Sequence, residues 1–160
     1  MRTGIITIMA FLMVGFSSCG NAPEKPENNA SEKYYFSKTV EGDFEEVSAE
    51  VKTLLKEEGF SVITEIDMAE KLKEKLDEVD MQRYRILGVC NSKYAYATIQ
   101  QEENIGLFLP CKFLIIEIGD NKTKVVAVNT ENLMKMLEND ELNSIAADVN
   151  TKFKRVLKQL

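Results

Sequence analysis

The segment GLFLPCKFLIIEI, Gly106 to Ile118, is apolar apart from Lys112 and Glu117, and it reads as extended chain. Pro110 interrupts it. Proline has no N–H to give a ladder, so a break or a sheet edge falls near Leu109. Gly119-Asp120-Asn121-Lys122 follows, a turn composition, and Thr123 to Val128 returns as a second β-rich run. Two such runs joined by a short turn form a hairpin. That hairpin commits this half of the chain to antiparallel pairing.

Upstream, the apolar period alternates between two and 3.6 residues. Tyr34 to Val40 (YYFSKTV) is aromatic and β-branched, as a strand requires. Phe44, Val47, Val51, Leu54 and Leu55 then recur at helical spacing. Asp43 can cap that helix, with Glu46 in the capping-box position three residues on. Gly59 can end it in the left-handed conformation, with Phe60 folding back on the last turn. FSVITEI is a second strand. Asp67 and Glu70 repeat the capping spacing, and Leu72 and Leu76 predict the apolar edge of a short helix whose lysines form a solvated face.

Tyr84 to Cys90 predicts a third strand. Asn91 or Ser92 caps a helix carrying Tyr94, Ala95, Thr98 and Ile99. After the hairpin come a short helical piece around Asn132 to Leu137 and a helix from about Asp140 to Leu160. The stripe of that last helix is Leu142, Ile145, Ala146, Val149, Phe153, Val156 and Leu157. The order β-α-β-α-β-α-β-β-α places the chain in the α+β class, helices packed against a largely antiparallel sheet.

The N-terminus carries a different signal. Arg2 precedes Ile5 to Phe16, which is apolar except for Thr7 and Gly15. Twelve residues at ~1.5 Å each span about 18 Å, short of a bilayer core of about 30 Å. The run therefore reads as the core of a secretory leader. Phe16-Ser17-Ser18-Cys19 resembles the bacterial lipobox, in which a cysteine after small residues is lipidated and becomes the new N-terminus. The expected organisation is a leader over residues 1–18, a lipidated Cys19 with a polar, proline-containing tether to residue 33, and one domain over 34–160. Two or three acyl chains suffice for stable anchoring where one binds only marginally. The resemblance implies export to the cell envelope, with the membrane as a partner and the outer membrane or a periplasmic face as the site.

Twenty basic and 26 acidic residues leave the chain acidic, at 19 − 26 = −7 once the leader with Arg2 is removed. Counterion release from phosphates needs a basic stripe, and none is visible, so nucleic acid is not an expected partner. The absence of histidine excludes His-based metal sites and triads. There is no GxGxxG, P-loop or CxxC, no repeat, and nothing that nominates a cofactor.

Two cysteines remain in the domain. Cys90 ends a strand just before a helix, where unpaired N–H groups favour an anion and polarised thiols are found. Cys111 follows Pro110. Its sequence neighbour Lys112 points to the other strand face and is a weak activator. Three readings stand: inert core thiols, a disulfide contributing ~3 kcal/mol by closing a loop of about 20 residues, or a reactive or ligand-binding pair. The strand–helix–strand order brings the two thiols near one another. Two cysteines alone fall short of the four ligands of a zinc site. Tyr94 and Tyr96 face different directions on a helix, and Glu65 and Asp67 share a strand face with Asp67 already used as a cap.

The stretches GFSVITEID, ILGVCN and GLFLPC, in this order and spacing, resemble a bacterial and archaeal family known as domain of unknown function 302. The resemblance spans about Tyr34 to Leu160. It implies a small α+β domain with helices against an antiparallel sheet, often a dimer, whose recurrent cysteines fall on Cys90 and Cys111. The family often has Asp-Pro after the last strand, where this chain has Asn129-Thr130 within VNTENL. No biochemical activity comes with it.

No catalytic constellation is recognisable, which leaves enzyme activity open and favours a non-catalytic module. The leading expectation is a membrane-anchored domain that binds a small molecule or a protein. The alternative is an envelope protein handling redox or sulfur chemistry through Cys90 and Cys111.

Overall fold

The structure, a computed structural model, describes residues 33–137 and 139–160. The expected leader, Cys19 and nearly all of the tether lie outside the described residues. The elements are β1 (Tyr35–Glu41), α1 (Phe44–Glu57), β2 (Ser61–Asp67), α2 (Met68–Lys73), β3 (Tyr84–Cys90), α3 (Ser92–Gln101), β4 (Cys111–Gly119), β5 (Lys122–Val128), α4 (Thr130–Met134) and α5 (Asn143–Gln159). One sheet runs in the order β1-β5-β4-β3-β2, antiparallel throughout. The α+β class and the antiparallel sheet are as the sequence implies.

Local chemistry sets the helix ends. The Asp43 carboxylate accepts from the N–H groups of Glu45 and Glu46 at 2.7 and 3.4 Å, satisfying donors that a helix start leaves orphaned. Gly59 ends α1 at φ 86°, and Phe60 N–H returns to the Leu55 carbonyl at 2.8 Å. Asp67 caps α2 through Glu70 N–H, and Asn91, rather than Ser92, caps α3.

Strand alternation puts Leu87, Val89, Phe113, Ile115, Val125 and Ala127 on one sheet face, all fully buried. Phe44, Val47, Val51 and Leu55 of α1 and Val149, Phe153, Val156 and Leu157 of α5 close over them. Phe153 meets Phe113 edge-on, centroids 4.8 Å apart. Each such side chain contributes about 1.5–3 kcal/mol on burial. Ile105, Met134, Leu142 and Ala146 form a second, smaller cluster beyond the end of the sheet.

Three expectations are corrected. Gly106 to Leu109 is not strand: Glu103–Leu107 is a 3₁₀ turn, and β4 begins only at Cys111, after the Leu109-Pro110 peptide, which is cis. The apolar character of these residues serves the second cluster, against which Phe108 and Leu109 pack. Leu76 lies past the end of α2 and is exposed, because that helix closes after six residues. Asp140–Leu142 is a separate 3₁₀ turn capped by Asn139, so the last helix starts at Asn143. Among the described residues no helix is long and apolar enough to cross a membrane.

Candidate functional site

The site is a cavity of about 100 Å³ off the end of the sheet where β3 stops, β4 starts and β5 stops. Val89, Cys90, Cys111 and Val128 border it from the strands, Tyr94, Ala95 and Thr98 from α3, and Ile105 and Phe108 from the 3₁₀ segment. Met134, Ala146 and Val149 close the helical side. The wall is almost wholly apolar.

Two polar devices hold this wall open. Asn91 caps α3 with its carbonyl while its Nδ2 donates to the Gly59 carbonyl at 2.9 Å, which pins the start of α3 to the end of α1. On the far side, the buried Asn150 accepts from the Thr130 N–H and hydroxyl, both at 2.8 Å. Its amide donates to Asn129 Oδ1 at 2.8 Å and to Glu131. The Thr130 hydroxyl also lies 2.8 Å from the Ala146 carbonyl. Buried polar groups are stable only when satisfied, and here the satisfied network locks α4 onto α5. The sequence reading missed Asn150, because an asparagine inside an apolar stripe looks like an exposed position.

Cys111 pairs across the sheet with Val89, so Cys90 sits one residue beyond that pair. Both thiols are free. Both border the cavity because it lies past the strand ends, where positions of either parity are reached. The helix N–H groups expected to polarise Cys90 are taken: those of Lys93 and Tyr94 donate to Asn91 Oδ1 at 3.0 and 3.3 Å. Burial pushes the Cys111 thiol up to about 11, and the neighbouring Cys90 adds to the rise while Lys112 offsets part of it. A thiol held neutral is a poor nucleophile. The Lys112 ammonium donates to the Pro110 carbonyl.

The remaining sequence candidates resolve into structure. Tyr94 borders the cavity, its ring 6.4 Å from Phe60, while Tyr96 is exposed. Glu65 pairs with Lys52 at 2.7 Å and Arg85 at 3.2 Å, and Asp67 caps α2. Asp67 also lies 3.9 Å from Arg85, so the two carboxylates share that guanidinium as an ion-pair cluster and leave no carboxylate pair for acid–base work. Among the described residues no cluster of three or more cysteine or carboxylate groups is placed to hold a metal ion.

The family model described as "Domain of unknown function DUF302" matches residues 36–160. The chain belongs to the DUF302 family. Its fold is similar to that in the crystal structure of an uncharacterized conserved DUF302 protein from Bacillus stearothermophilus. The two are 28% identical with a TM-score of 0.72, over 78% of this chain and 96% of that one. No match was found among curated proteins. In this DUF302 domain every residue bordering the cavity lies within the matched span.

Proposed function

We propose that this protein is a lipid-anchored component of the cell envelope whose DUF302 domain holds a small, mainly apolar ligand in the cavity at the end of the sheet. The observation that carries the reading is the cavity itself. It is apolar and framed by two satisfied polar networks. A dry apolar cavity of this order, about 150 Å³ in an engineered case, takes up benzene or xenon. The Cys111 thiol, held protonated by burial, favours a binding wall over a nucleophile. The anchor reading rests on the apolar run Ile5 to Phe16 and on Cys19 behind two serines.

Intact mass spectrometry of the chain extracted from membranes under native conditions tests both halves. The expected result is a chain beginning at Cys19 with acyl mass, carrying an apolar adduct that unfolding releases. An unmodified chain in the soluble fraction removes the anchor, and the absence of any adduct or of uptake of small apolar probes removes the ligand. The thiol-chemistry reading is favoured instead by a mixed disulfide or oxidised sulfur on Cys90 or Cys111.

A further inference from the structure

Helices α1 and α5 pack over one face of the sheet. On the other lie Ile66, Ile86, Leu114, Ile116 and Val126, none belonging to either buried cluster; Ile66 is 40% exposed, Ile86, Leu114 and Ile116 are half-buried, and Val126 is buried between its strand neighbours. The strand register sets these residues side by side: Ile66 opposite Ile86, Ile86 opposite Leu114, and Leu114 opposite Val126. Five strands about 4.8 Å apart and seven residues long at ~3.3 Å make a face on the order of 550 Å². The apolar centre is a smaller part of that area and is rimmed by polar side chains, the pattern that marks an interaction surface.

The charge on this face is the reverse of the rest of the molecule. The strand positions that share it carry Lys112, Lys122 and Lys124 against a single acid, Glu41, a balance of 3 − 1 = +2 in a chain of net charge −6. The Lys124 ammonium lies 5.9 Å from the Tyr35 ring on the same face, and Tyr34, next in the chain, is exposed with its ring against Tyr35. Apolar centre, lysines and tyrosines together match the boundary between anionic headgroups and acyl chains. A second copy stacked face to face would bring together two faces that each carry +2, which opposes pairing.

Chain length supplies the remaining argument. Residues 20–34 separate Cys19 from Tyr35 at the start of the edge strand β1, and fifteen residues reach at most about 50 Å. A domain held within that distance of a bilayer meets it at high effective concentration. We infer that the uncovered face of the sheet docks onto an anionic lipid surface, laying the domain flat against the membrane that holds its anchor. The inference rests on the anchored reading for its reach, and the test separates the two.

The chain has no tryptophan, so a single one reports its own surroundings. Ile66→Trp, on the uncovered face, and Glu50→Trp, on the helical side, are made in the full lipidated chain. Ile116→Trp provides a second reporter should Ile66→Trp lose its native melting. Each is reconstituted with vesicles of phosphatidylcholine, alone or mixed with phosphatidylglycerol, containing brominated acyl chains. Quenching at Ile66→Trp is expected to exceed that at Glu50→Trp severalfold with the anionic lipid. It should fall to the control level in high salt, which shortens the screening length to about 3 Å at 1 M, and in the combined Lys112→Glu, Lys122→Glu and Lys124→Glu variant. A chain that sediments with vesicles but shows equal quenching at both positions overturns the docking and leaves the anchor standing. A chain that stays in solution with phosphatidylcholine overturns the anchor. Docking is then decided with anionic vesicles alone, where quenching sustains it and no quenching overturns it. A lipid-independent blue shift that grows with protein concentration assigns the face to a second copy and overturns the proposal.

Discussion

Cys111, the first residue of β4, lies directly across from Val89 on β3, so Cys90 is diagonal to it rather than opposite. Successive strand residues alternate faces, and a diagonal pair of this parity is poorly set up for a disulfide. What the two cysteines share is the cavity past the strand ends, and Cys111 enters it as a half-buried, neutral thiol.

Alkylation should reflect that. The Cys111 thiol titrates near 11 instead of its ordinary 9.0 because burial disfavours the thiolate. Below pH 10 its iodoacetamide rate in the folded protein should be slow and rise about tenfold per pH unit. In denaturant the rise should level off near pH 9. Stability should correspondingly fall above about pH 9, where the unfolded thiol ionises and the folded one does not. A folded-state rate at pH 7 equal to that in denaturant contradicts a thiolate disfavoured by its surroundings.

Gly88 is needed for space. A Cβ there would sit 2.6 Å from Pro110 Cγ and closer still to Thr64 Oγ1. Thr64 can rotate away, but the proline ring cannot. Gly88→Ala should cost about 1–3 kcal/mol, a fall of about 5–10 °C in Tm for a domain of this size. Thr64→Ala in the same chain should recover part of it. A Tm unchanged by Gly88→Ala contradicts the contact.

Asn150→Ala leaves the buried Thr130 N–H without its partner and unlocks α4 from α5. A buried donor left unsatisfied costs about 1–3 kcal/mol, readable as a shift of the urea midpoint. Amide exchange should rise first in α4, the five-residue helix that the Asn150 network fastens to α5.

Much of this architecture is legible in the sequence, for identifiable reasons. Asp43, Asp67 and Asn91 announce helix starts because a short polar side chain before an apolar period has one efficient use there. Tyr84 to Cys90 is marked as a strand by its β-rich run and the asparagine after it. The failures have physical causes too. Gly106 to Leu109 is as apolar as a strand, yet its residues serve a core cluster from a 3₁₀ turn. Asn150 and Gly88 are defined by partners 21 or 22 residues away, Asn129 and Pro110, which no local pattern shows. The cavity depends on how α3, α4 and α5 meet, and periodicity does not specify where three helices leave space.

Glu45 gives an acid-side test. The hydrogen bond from Arg85 is the main reason its carboxyl titrates near 2 rather than 4.5; partial burial opposes this, and Arg83 assists. Its contribution is present above pH 4.5 and is lost as pH falls toward 2. The side chain is half exposed, so solvent screening limits the pair to about 1 kcal/mol or less. Glu45→Gln should lower stability modestly at pH 7 and match the parent near pH 2. A difference that persists at pH 2 assigns the effect to packing instead.

The cavity as a binding site is tested most directly by benzene titration followed through methyl chemical shifts. Saturable shifts are expected at Ala95, Ile105, Met134 and Ala146, which border the cavity, with none at Val51 and Val125 in the main core. Ala146→Leu, which fills the space, should abolish them while the fold melts as before. Shifts that never saturate, or that survive Ala146→Leu unchanged, would contradict a ligand site at the end of the sheet.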